Sequence, residues 1–411
     1  MAITKLEHKP RCLDVTRLVS RAGAGPMTGV DRVELAYLRW MLGRSGPIFA
    51  LARTATGFVL LERAGMSALL EKIETDKWGE ADLLGRLSRR LSTVRKGAEA
   101  DLRRLAAARS SRFGLRKMLM AQLPVGTRFF NTGHSNLTPR VMNAVGAIPG
   151  VQINILLHDF IPLDFPDWQG IGTVEAFREK MQTVSDHADL IICNSEQTLQ
   201  DAQRWLGEMG RIPASIVAHL GIDPPKELSG ELPQEIDPNK PYFVVLGTIE
   251  PRKNHALLLD IWDEFAREGG APAQLVVVGR RGWKNEAVFA RLDKPPKDVV
   301  ELSGLSDGAV QTVLKGSVGL LFPSFVEGFG LPPAEAAALN IPVICNDLAI
   351  YREFLGDYPV YLDVTAMYLW KQSIRKLVDY HEVEHNEAER APRPVTLPNW
   401  EDHFKLILSL G

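Results

Sequence analysis

The sequence predicts an α/β protein made of two doubly wound, Rossmann-like domains. Three observations lead to this class: short apolar runs separated by helical segments, a proline-rich connection near the middle, and a renewed strand, helix, strand rhythm after that connection. A chain of 411 residues is long enough for two domains that each bury a core. With 45% hydrophobic and 24% charged residues, the composition is that of an ordinary globular protein.

The predicted strands are short apolar runs that are rich in Val and Ile and end at Gly, Asn, Ser or Pro. Such runs are typical of strands buried on both faces, which belong to parallel sheets covered by helices. They occupy residues 151–157, 190–193, 216–218, 242–246, 274–278, 299–302, 318–322 and 341–345.

The proline-rich connection covers residues 224–241 and has five prolines, several charges and no apolar periodicity. This composition is expected between domains. We therefore predict an N-terminal domain at 1–225 and a C-terminal domain at 226–395. After the connection the chain starts afresh with a strand and then alternates strands and helices, as an independent Rossmann-like unit does.

Residues 83–120 are predicted to form a basic helical insertion in the N-terminal domain. Between 86 and 117 there are eleven Lys or Arg residues and only two acids. Leu84, Leu87, Leu91 and Val94 recur at helical spacing. Two interpretations stay open: a packed helix or helix pair with a solvated basic face, or a surface that meets anionic lipid headgroups or an acidic acceptor.

Composition and patterning exclude several other classes. A net charge of −2 predicts no binding to nucleic acid. The three cysteines lie far apart without a C-x-x-C pair, so neither disulfides nor a zinc site is predicted. The charged first residues do not resemble a secretory signal, and no run of about 18 apolar residues occurs. We expect a cytoplasmic protein, with a peripheral position at the inner face of the plasma membrane if the basic segment binds lipid.

The segment PSFVEGFGLPPAEA, which follows the predicted strand 318–322, carries two glutamates, Glu327 and Glu335. Its glycines allow close approach of the backbone to a ligand, and its two prolines suit the first turn of a helix. A helix is therefore expected from about Leu331 to residue 339, with its N-terminus forming an anion site. Two carboxylates beside an anion site are better suited to accept hydrogen bonds from hydroxyls, such as those of a sugar and a ribose.

Cations for such an anion are offered by Arg252 and Lys253, which follow the strand 242–246 directly. They are placed at the carboxyl edge, where ligands bind in open α/β sheets. Arg can bind a phosphate through two hydrogen bonds, and Lys can neutralise a second phosphate. The alternative is an ordinary pair of surface cations.

The motifs EPRKN, VVVGRRGW, LSGLSD and FPSFVEGFGLPPAEA, in this order within 241–362, resemble glycosyltransferase family 4. The resemblance implies retaining enzymes with the GT-B fold, in which two Rossmann-like domains face each other across a cleft. It also implies that the C-terminal segment 396–411, LPNWEDHFKLIL and its neighbours, forms a helix that crosses back to the N-terminal domain. For the donor, the resemblance assigns the sugar to Glu327, the ribose to Glu335, and the diphosphate to Arg252, Lys253 and the backbone of Gly328, Phe329, Gly330 and Leu331.

The N-terminal half matches the family more loosely. Its GAGPMTGVDRVE resembles the glycine-rich donor loop, which makes Gly29 and Arg32 candidates for the donor phosphate. A dinucleotide-binding loop is the competing interpretation. It is disfavoured because the glycine spacing is G-x-G-x-x-x-G and the loop does not follow directly on the predicted strand LDV.

A histidine at the end of the strand 151–157, His158, stands where the family places a histidine near the donor sugar. A purely structural role is the alternative. Glu196 is a weaker candidate, because NSE there equally predicts a helix cap with Asn194 or Ser195. His158 and Glu327 are thus the residues expected to take part in catalysis.

No metal or other cofactor is predicted. The metal-dependent transferase architecture needs two Asp one residue apart, and D-x-D does not occur in the sequence. The positive charge on the diphosphate would come from Arg252, Lys253 and the helix N-terminus instead.

The predicted function is retaining transfer of a hexose from a nucleotide sugar to a glycan or lipid-linked saccharide in cell-surface polysaccharide biosynthesis. The EPRKN and HDFIP wording resembles bacterial enzymes of that process, many of them mannosyltransferases, so GDP-mannose is favoured over UDP-hexoses. Two alternatives remain: a non-catalytic nucleotide-sugar-binding protein with the same fold, and a nucleotide-sugar epimerase.

Overall fold

The computed structural model describes residues 9–87, 90–223, 230–383 and 395–409. Two compact units account for them, and the predicted α/β class with two parallel sheets is confirmed. The first unit takes the described residues of Met1–His158, Glu175–Leu220 and Glu401–Gly411, and the second takes those of Asp159–Val174 and Gly221–Trp400. The predicted boundaries lie after residues 225 and 395, and residues 159–174 are predicted to belong to the N-terminal domain, whereas the structure groups them with the second unit.

All eight predicted strands are present, each within two residues of its predicted bounds. Strands of the first unit are β1 (Arg11–Asp14), β2 (Ile48–Thr54), β3 (Gly57–Glu62), β4 (Ala108–Ser110), β5 (Arg128–Asn131), β6 (Gln152–Leu157), β7 (Leu190–Cys193) and β8 (Ala214–Val217). They form one sheet in the order β4-β3-β2-β1-β5-β6-β7-β8. The predicted strands of this sheet pair parallel, but at one edge, which was not predicted, β3 pairs antiparallel with both β2 and β4.

The second unit has a six-stranded sheet that is parallel throughout its described pairs. Its strands are β9 (Tyr242–Leu246), β10 (Gln274–Val278), β11 (Val299–Leu302), β12 (Gly319–Phe322), β13 (Val343–Asn346) and β14 (Val360–Leu362). Their order is β11-β10-β9-β12-β13-β14. Successive strands are therefore added on one side of β9 up to β11 and on its other side from β12 onward. Ligands of doubly wound sheets bind at the carboxyl ends of the strands that flank this switch point.

Helices connect the strands and cover the sheets. They are α1 (Thr16–Ser20), α2 (Gly29–Leu42), α3 (Arg63–Thr75), α4 (Leu83–Leu87), α5 (Thr93–Leu105), α6 (Leu115–Gln122), α7 (Pro139–Gly146), α8 (Ile161–Asp164), α9 (Thr173–His187), α10 (Glu196–Glu208), α11 (His255–Arg267), α12 (Glu286–Leu292), α13 (Asp307–Lys315), α14 (Leu331–Ala338), α15 (Ala349–Leu355), α16 (Met367–Val383) and α17 (Trp400–Ser409). Short 3-10 turns occur at Pro166–Trp168 and Pro251–Lys253. In the second unit, the core includes the fully buried rings of Trp262 and Trp370.

The basic segment 83–120 differs from its prediction. Where a helix or helix pair was predicted, the described residues form the separate helices α4 and α5 and the first part of α6, and β4 adds an edge strand to the first sheet. The prediction that Leu84 and Val94 belong to one apolar helix face that is packed is also wrong, since Leu84 is 44% and Val94 39% exposed. Ser92 caps a new helix by accepting a hydrogen bond from the backbone N–H of Arg95, so the apparent spacing runs across a helix boundary.

Several basic side chains of this segment are paired with acids. Arg103 contacts Asp82 at 2.6 Å and is only 6% exposed, and Arg104 contacts Asp101 at 2.9 Å. Asp82 lies outside the window 86–117 in which the charges were counted. Arg103 is therefore part of the fold, and the membrane role of the segment stays a prediction.

The C-terminal helix α17 packs within the first unit. Phe404 stacks on Trp40 with ring centroids 4.2 Å apart, and His403 lies 2.9 Å from the hydroxyl of Tyr37. Burial of these rings joins the end of the chain to its first helices.

Candidate active site

The switch point of the second sheet brings together the two loops that carry the predicted charges. The loop after β9 leads into the 3-10 turn Pro251–Lys253, and the loop after β12 leads to Glu327. A backbone hydrogen bond joins them, since the N–H of Phe325 donates to the carbonyl of Arg252 at 2.8 Å. Residues 75 positions apart are thus held side by side at the carboxyl ends of adjacent strands.

Four side chains at this place form what we call the charged cluster: Glu250, Arg252, Lys253 and Glu327. Glu327 accepts from Arg252 Nη1 at 2.6 Å through one carboxylate oxygen and from Lys253 Nζ at 2.5 Å through the other. Arg252 Nε lies 2.7 Å from Glu250. Lys253 Nζ also lies 4.4 Å from the ring centroid of Phe322, a favourable cation–π distance.

The protonation states in the cluster follow from these contacts. Burial alone would raise the pKa of Glu327, but Arg252 and Lys253 outweigh it and hold that pKa at about 2. Burial lowers the pKa of Lys253 to about 8 although Glu327 opposes the shift. Burial would also lower the pKa of Arg252, yet Glu327 and Glu250 raise it. At neutral pH the cluster therefore holds two cations and an ionised Glu327.

The predicted helix start lies directly after this loop. Helix α14 begins at Leu331, and its N-cap Gly330 has φ +99, where a Cβ atom would lie 2.5 Å from the Tyr351 ring. Only glycine fits this position. Because Pro332 and Pro333 have no N–H, the backbone donors here come from Leu331 and the loop before it, fewer than an ordinary helix start offers.

Three further residues that were predicted to bind the donor, Gly328, Phe329 and Glu335, lie in this loop or on α14. The side chain of Phe329 is 4% exposed and stacks on Phe354 at 4.4 Å, so only its backbone is available to a ligand. Gly328 lies between Glu327 and Phe329 in the loop, and Glu335 is half-buried on α14.

The first unit holds Gly29, Arg32 and His158. Gly29 is the first residue of α2, where Thr28 and Asp31 form a capping box, and Arg32 is exposed on the same turn. Asp31 is buried and receives Arg17 Nε at 2.6 Å. The predicted loop is thus the capped start of α2. Its capping acid, Asp31, is already paired with Arg17, which was not predicted from the sequence.

His158 has a second histidine as neighbour. The ring centroids of His134 and His158 are 5.2 Å apart. His134 Nε2 lies 2.7 Å from the carbonyl of Leu156, and His158 Nε2 lies 2.7 Å from that of Thr132. Because a carbonyl only accepts, each Nε2 carries the proton and each Nδ1 is left as an acceptor.

The environment keeps this histidine pair neutral. Burial lowers the pKa of His134 to about 3, with the neighbouring His158 adding to the effect. Burial likewise lowers the pKa of His158 to about 4, and Arg17 contributes in the same direction. At neutral pH both rings can accept a hydrogen bond from a hydroxyl without carrying charge.

Three buried polar side chains, those of Asp14, Glu34 and Asn136, lie near the switch point between β1 and β5 of the first sheet. Asn136 donates to Asp14 at 2.6 Å, and the backbone N–H of Leu18 donates to Glu34 at 2.9 Å. Glu34 is fully buried, and a Cβ at Gly133 would lie 2.1 Å from its other oxygen. Burial, together with the charge of Asp14, raises the pKa of Glu34 well above its usual value.

His134, Glu34 and Arg17 are not among the residues predicted from the sequence. The loop NTGHSN after β5, with its glycine and polar residues at a strand end, was the one available signal for His134. His134 adopts a left-handed φ of +56, which is unusual for a residue other than glycine. For Glu196, the helix-cap interpretation fits, since Ser195 is the N-cap and accepts from the backbone N–H of Thr198.

Neither a metal-binding group of side chains nor a helix able to span a membrane occurs among the described residues. Among residues 9–87, 90–223, 230–383 and 395–409, no group of three or more His, Cys, Asp or Glu side chains is arranged to hold a metal ion. Within the same ranges, no helix has the length and apolar character needed to cross a membrane.

Comparison with known proteins places these residues in context. Residues 232–393, which contain the charged cluster and α14, match the family model described as glycosyl transferases group 1. The serotype-specific mannosyltransferase WbdA of Escherichia coli is 30% identical over 254 residues, which cover 56% of this chain and 31% of WbdA. The O-antigen chain mannosyltransferase RfbU of Salmonella typhimurium is 28% identical over 140 residues, covering 33% of this chain and 38% of RfbU. The chain thus spans about a third of the length of these curated relatives.

Solved structures resemble the whole fold. WaaG, described as a glycosyltransferase involved in lipopolysaccharide biosynthesis, has a TM-score of 0.58 at 13% identity and covers 98% of this chain and 100% of its own. HepE of Anabaena, solved in complex with UDP, has a TM-score of 0.56 at 14% identity, with 98% and 95% covered. These similarities support the GT-B fold.

Proposed function

We propose that this chain, whose residues 232–393 match the glycosyl transferases group 1 family model, transfers a hexose from a nucleotide sugar to a saccharide or lipid-linked saccharide during cell-surface polysaccharide biosynthesis. The observation that carries the proposal is the charged cluster at the switch point of the second sheet. It presents two cations and an ionised carboxylate at the strand ends where a doubly wound sheet binds its ligand.

The cluster suits a diphosphate that carries a sugar. Lys has three N–H donors and Arg has five, so both cations keep donors for phosphate oxygens while Glu327 orients them. As the sugar–phosphate bond breaks, negative charge grows on the diphosphate, and fixed cations stabilise it most at that moment. Glu327 stays ionised at its pKa of about 2 and can accept hydrogen bonds from sugar hydroxyls.

The remaining assignments belong to the same proposal. Glu335 would bind the ribose. The backbone of 328–331 and the Gly29–Arg32 helix start would help to bind the phosphates. Nδ1 of His158 would accept a hydrogen bond from a hydroxyl of the sugar. The stereochemical outcome is retention, with the diphosphate as leaving group and no metal required. Dialysis against EDTA should then leave the transfer rate unchanged.

GDP-mannose is the favoured donor because the curated relatives are mannosyltransferases. UDP-hexoses compete, since HepE was solved with UDP and with UDP-glucose. Nucleotide-sugar thermal shifts would rank the donors, because a ligand of the folded state raises its melting temperature with occupancy.

The decisive experiment measures release of nucleotide and formation of product with GDP-mannose and a mannose oligosaccharide, in wild type and in Glu327→Gln. We expect kcat/KM to fall about a hundredfold or more, because the cations lose their buried counter-charge and the sugar loses a charged acceptor. The exposed Glu231→Gln is the matched control in the same unit and should behave as wild type. Equal activity in Glu327→Gln would refute the site.

The same assay separates the alternatives. Binding of the nucleotide sugar without release of nucleotide would indicate a non-catalytic binding protein. Conversion of the donor without any acceptor would indicate an epimerase.

A further inference from the structure

A cavity of about 180 Å³ lies beside the charged cluster. Its walls come from two stretches of the second unit, 159–169 and 250–252, together with Trp283. Because Glu250 and Arg252 belong to both the cavity and the cluster, a molecule bound here would lie next to the proposed diphosphate position. We call it the aromatic cavity.

Two indole rings, Trp168 and Trp283, give the cavity its apolar wall. Phe165 supports Trp168 from one side in a parallel stack, with centroids 4.5 Å apart and planes at 5°. Phe325 approaches the same ring at 5.7 Å. Trp283 remains 42% exposed, although a ring of that size gains much by burial. Trp283 therefore contributes solvent-accessible apolar surface to the lining of the cavity.

Hydrogen bonds hold this wall in place. Trp283 Nε1 donates to the carbonyl of Trp168 at 2.8 Å, and Lys284 Nζ donates to that of Asp167 at 2.9 Å. Lys284 has a left-handed φ of +50, a strained conformation that the surrounding contacts must maintain. A wall fixed before the ligand arrives reduces the entropy lost on binding.

The polar side of the cavity is formed mainly by hydrogen-bond acceptors. Asp159, Glu250 and Gln169 line it, and Glu250 and Gln169 are 5% and 8% exposed. Burial raises the pKa of Asp159 to about 6, although Arg252 opposes the shift. Two carboxylates face one guanidinium, so the lining suits a neutral molecule with hydroxyl groups better than a phosphate.

We propose that the aromatic cavity binds one sugar ring of the acceptor saccharide, with an apolar face against Trp168 and Trp283 and hydroxyls toward Asp159 and Glu250. This inference rests on the proposed function and adds the place of the acceptor. An apolar wall with a few convergent polar groups is the usual form of a small-molecule site. The volume is below the roughly 300–1,000 Å³ of sites for drug-sized ligands, which favours one ring over a whole nucleotide.

The test compares Trp283→Ala, Trp283→Phe and the control Tyr368→Ala, which removes a 73% exposed ring elsewhere in the same unit. We expect Trp283→Ala to raise the KM for the saccharide acceptor about tenfold, as loss of an interface Trp commonly does, and to change the KM for the donor less than about twofold. Trp283→Phe should recover most of the affinity, and Tyr368→Ala should match wild type. A larger change in the donor KM would show that a nucleotide base stacks here and would overturn the proposal, as would equal KM values throughout.

A direct titration distinguishes this inference from the proposed function. Mannose di- and trisaccharides are added to wild type and to Trp283→Ala, and binding is followed by ligand-detected NMR without any donor. Binding that Trp283→Ala abolishes supports the cavity even if no transfer is found. Saccharide binding that persists undiminished in Trp283→Ala overturns the cavity while leaving the transferase proposal intact.

Discussion

At the switch point of the second sheet Glu327 is ionised between two cations, whereas at that of the first sheet Glu34 accepts a hydrogen bond from the backbone N–H of Leu18 and burial raises its pKa well above the usual value. The two glutamates are almost equally inaccessible, at 9% and 0%. Their pKa values nevertheless move in opposite directions, to about 2 for Glu327 and well above the usual value for Glu34. The difference shows that burial alone does not set charge, because the partners within hydrogen-bond reach decide it.

The two units also differ in the charge of the side chains that are proposed to bind the substrate. Fixed charges in the second unit suit an anionic diphosphate, and the neutral histidine pair in the first unit suits sugar hydroxyls. The comparison can be tested by asking how much stability each buried group contributes, and at what pH.

The largest effect on stability is expected for Glu327→Gln. It removes the acid that pairs with both Arg252 and Lys253, while Arg252 keeps the nearby charges of Glu250 and Asp159. Breaking a buried ion pair from one side destabilises proteins by about 3–5 kcal/mol. Urea unfolding at pH 7 should show a loss of about that size, with Glu231→Gln unchanged. A loss below about 1 kcal/mol would mean that water or relaxation already supports the cations.

The charged cluster was accessible from sequence because its members follow strands directly. Arg252 and Lys253 come six and seven residues after β9 ends, and Glu327 five after β12, and parallel strand ends meet at one edge. The pairing of Glu327 with both cations was not predicted, since it depends on which loops are neighbours in the sheet order. The resemblance implies separate roles for them, with Glu327 on the sugar and Arg252 and Lys253 on the diphosphate.

Other features depend on contacts that no local pattern encodes. Glu34 lies on a helix where it would be expected to face solvent, and its burial requires Gly133, about 100 positions later. Segment 159–174 joins the second unit through residues such as Trp283, more than 100 positions away. The strands β2–β5 and β14 were missed, and β2 to β4 form an antiparallel edge that the parallel expectation did not include.

An intermediate effect is expected from the histidine pair, and it depends on pH. Both pKa values lie below the unfolded value of 6.5, at about 3 for His134 and about 4 for His158. Between pH 6.5 and 4 the unfolded chain therefore binds more protons than the folded one, so stability falls as the pH is lowered through this window. We expect each of the two rings to contribute up to about 1.4 kcal/mol of this loss per pH unit.

The double variant His134→Gln/His158→Gln checks this expectation by urea unfolding at several pH values from 7 to 4. Its stability should fall less steeply than that of wild type over the same range. Some slope should remain, because burial also lowers the pKa of His255 and His403. Parallel curves for the two proteins would contradict the neutral state of the pair.

The smallest effect is expected for Glu34→Gln, and it is the sharpest test of the comparison. A protonated Glu34 resembles glutamine in shape and charge, and either side chain can accept from the N–H of Leu18. At pH 5 the variant should differ from wild type by less than about 1 kcal/mol. Glu34→Ala, which leaves that donor unpaired and opens a cavity, should lose about 2 kcal/mol or more.

The sign of the pH dependence at Glu34 adds a second criterion. Its raised folded pKa means that the stability it contributes is complete below the unfolded value of 4.5 and is lost as the pH rises toward the folded value. Glu34→Gln does not titrate, so its stability relative to wild type should increase between pH 5 and pH 8. If the variant instead lost several kcal/mol at every pH, Glu34 would be ionised and paired like Glu327, and the two switch points would not differ in the way their contacts indicate.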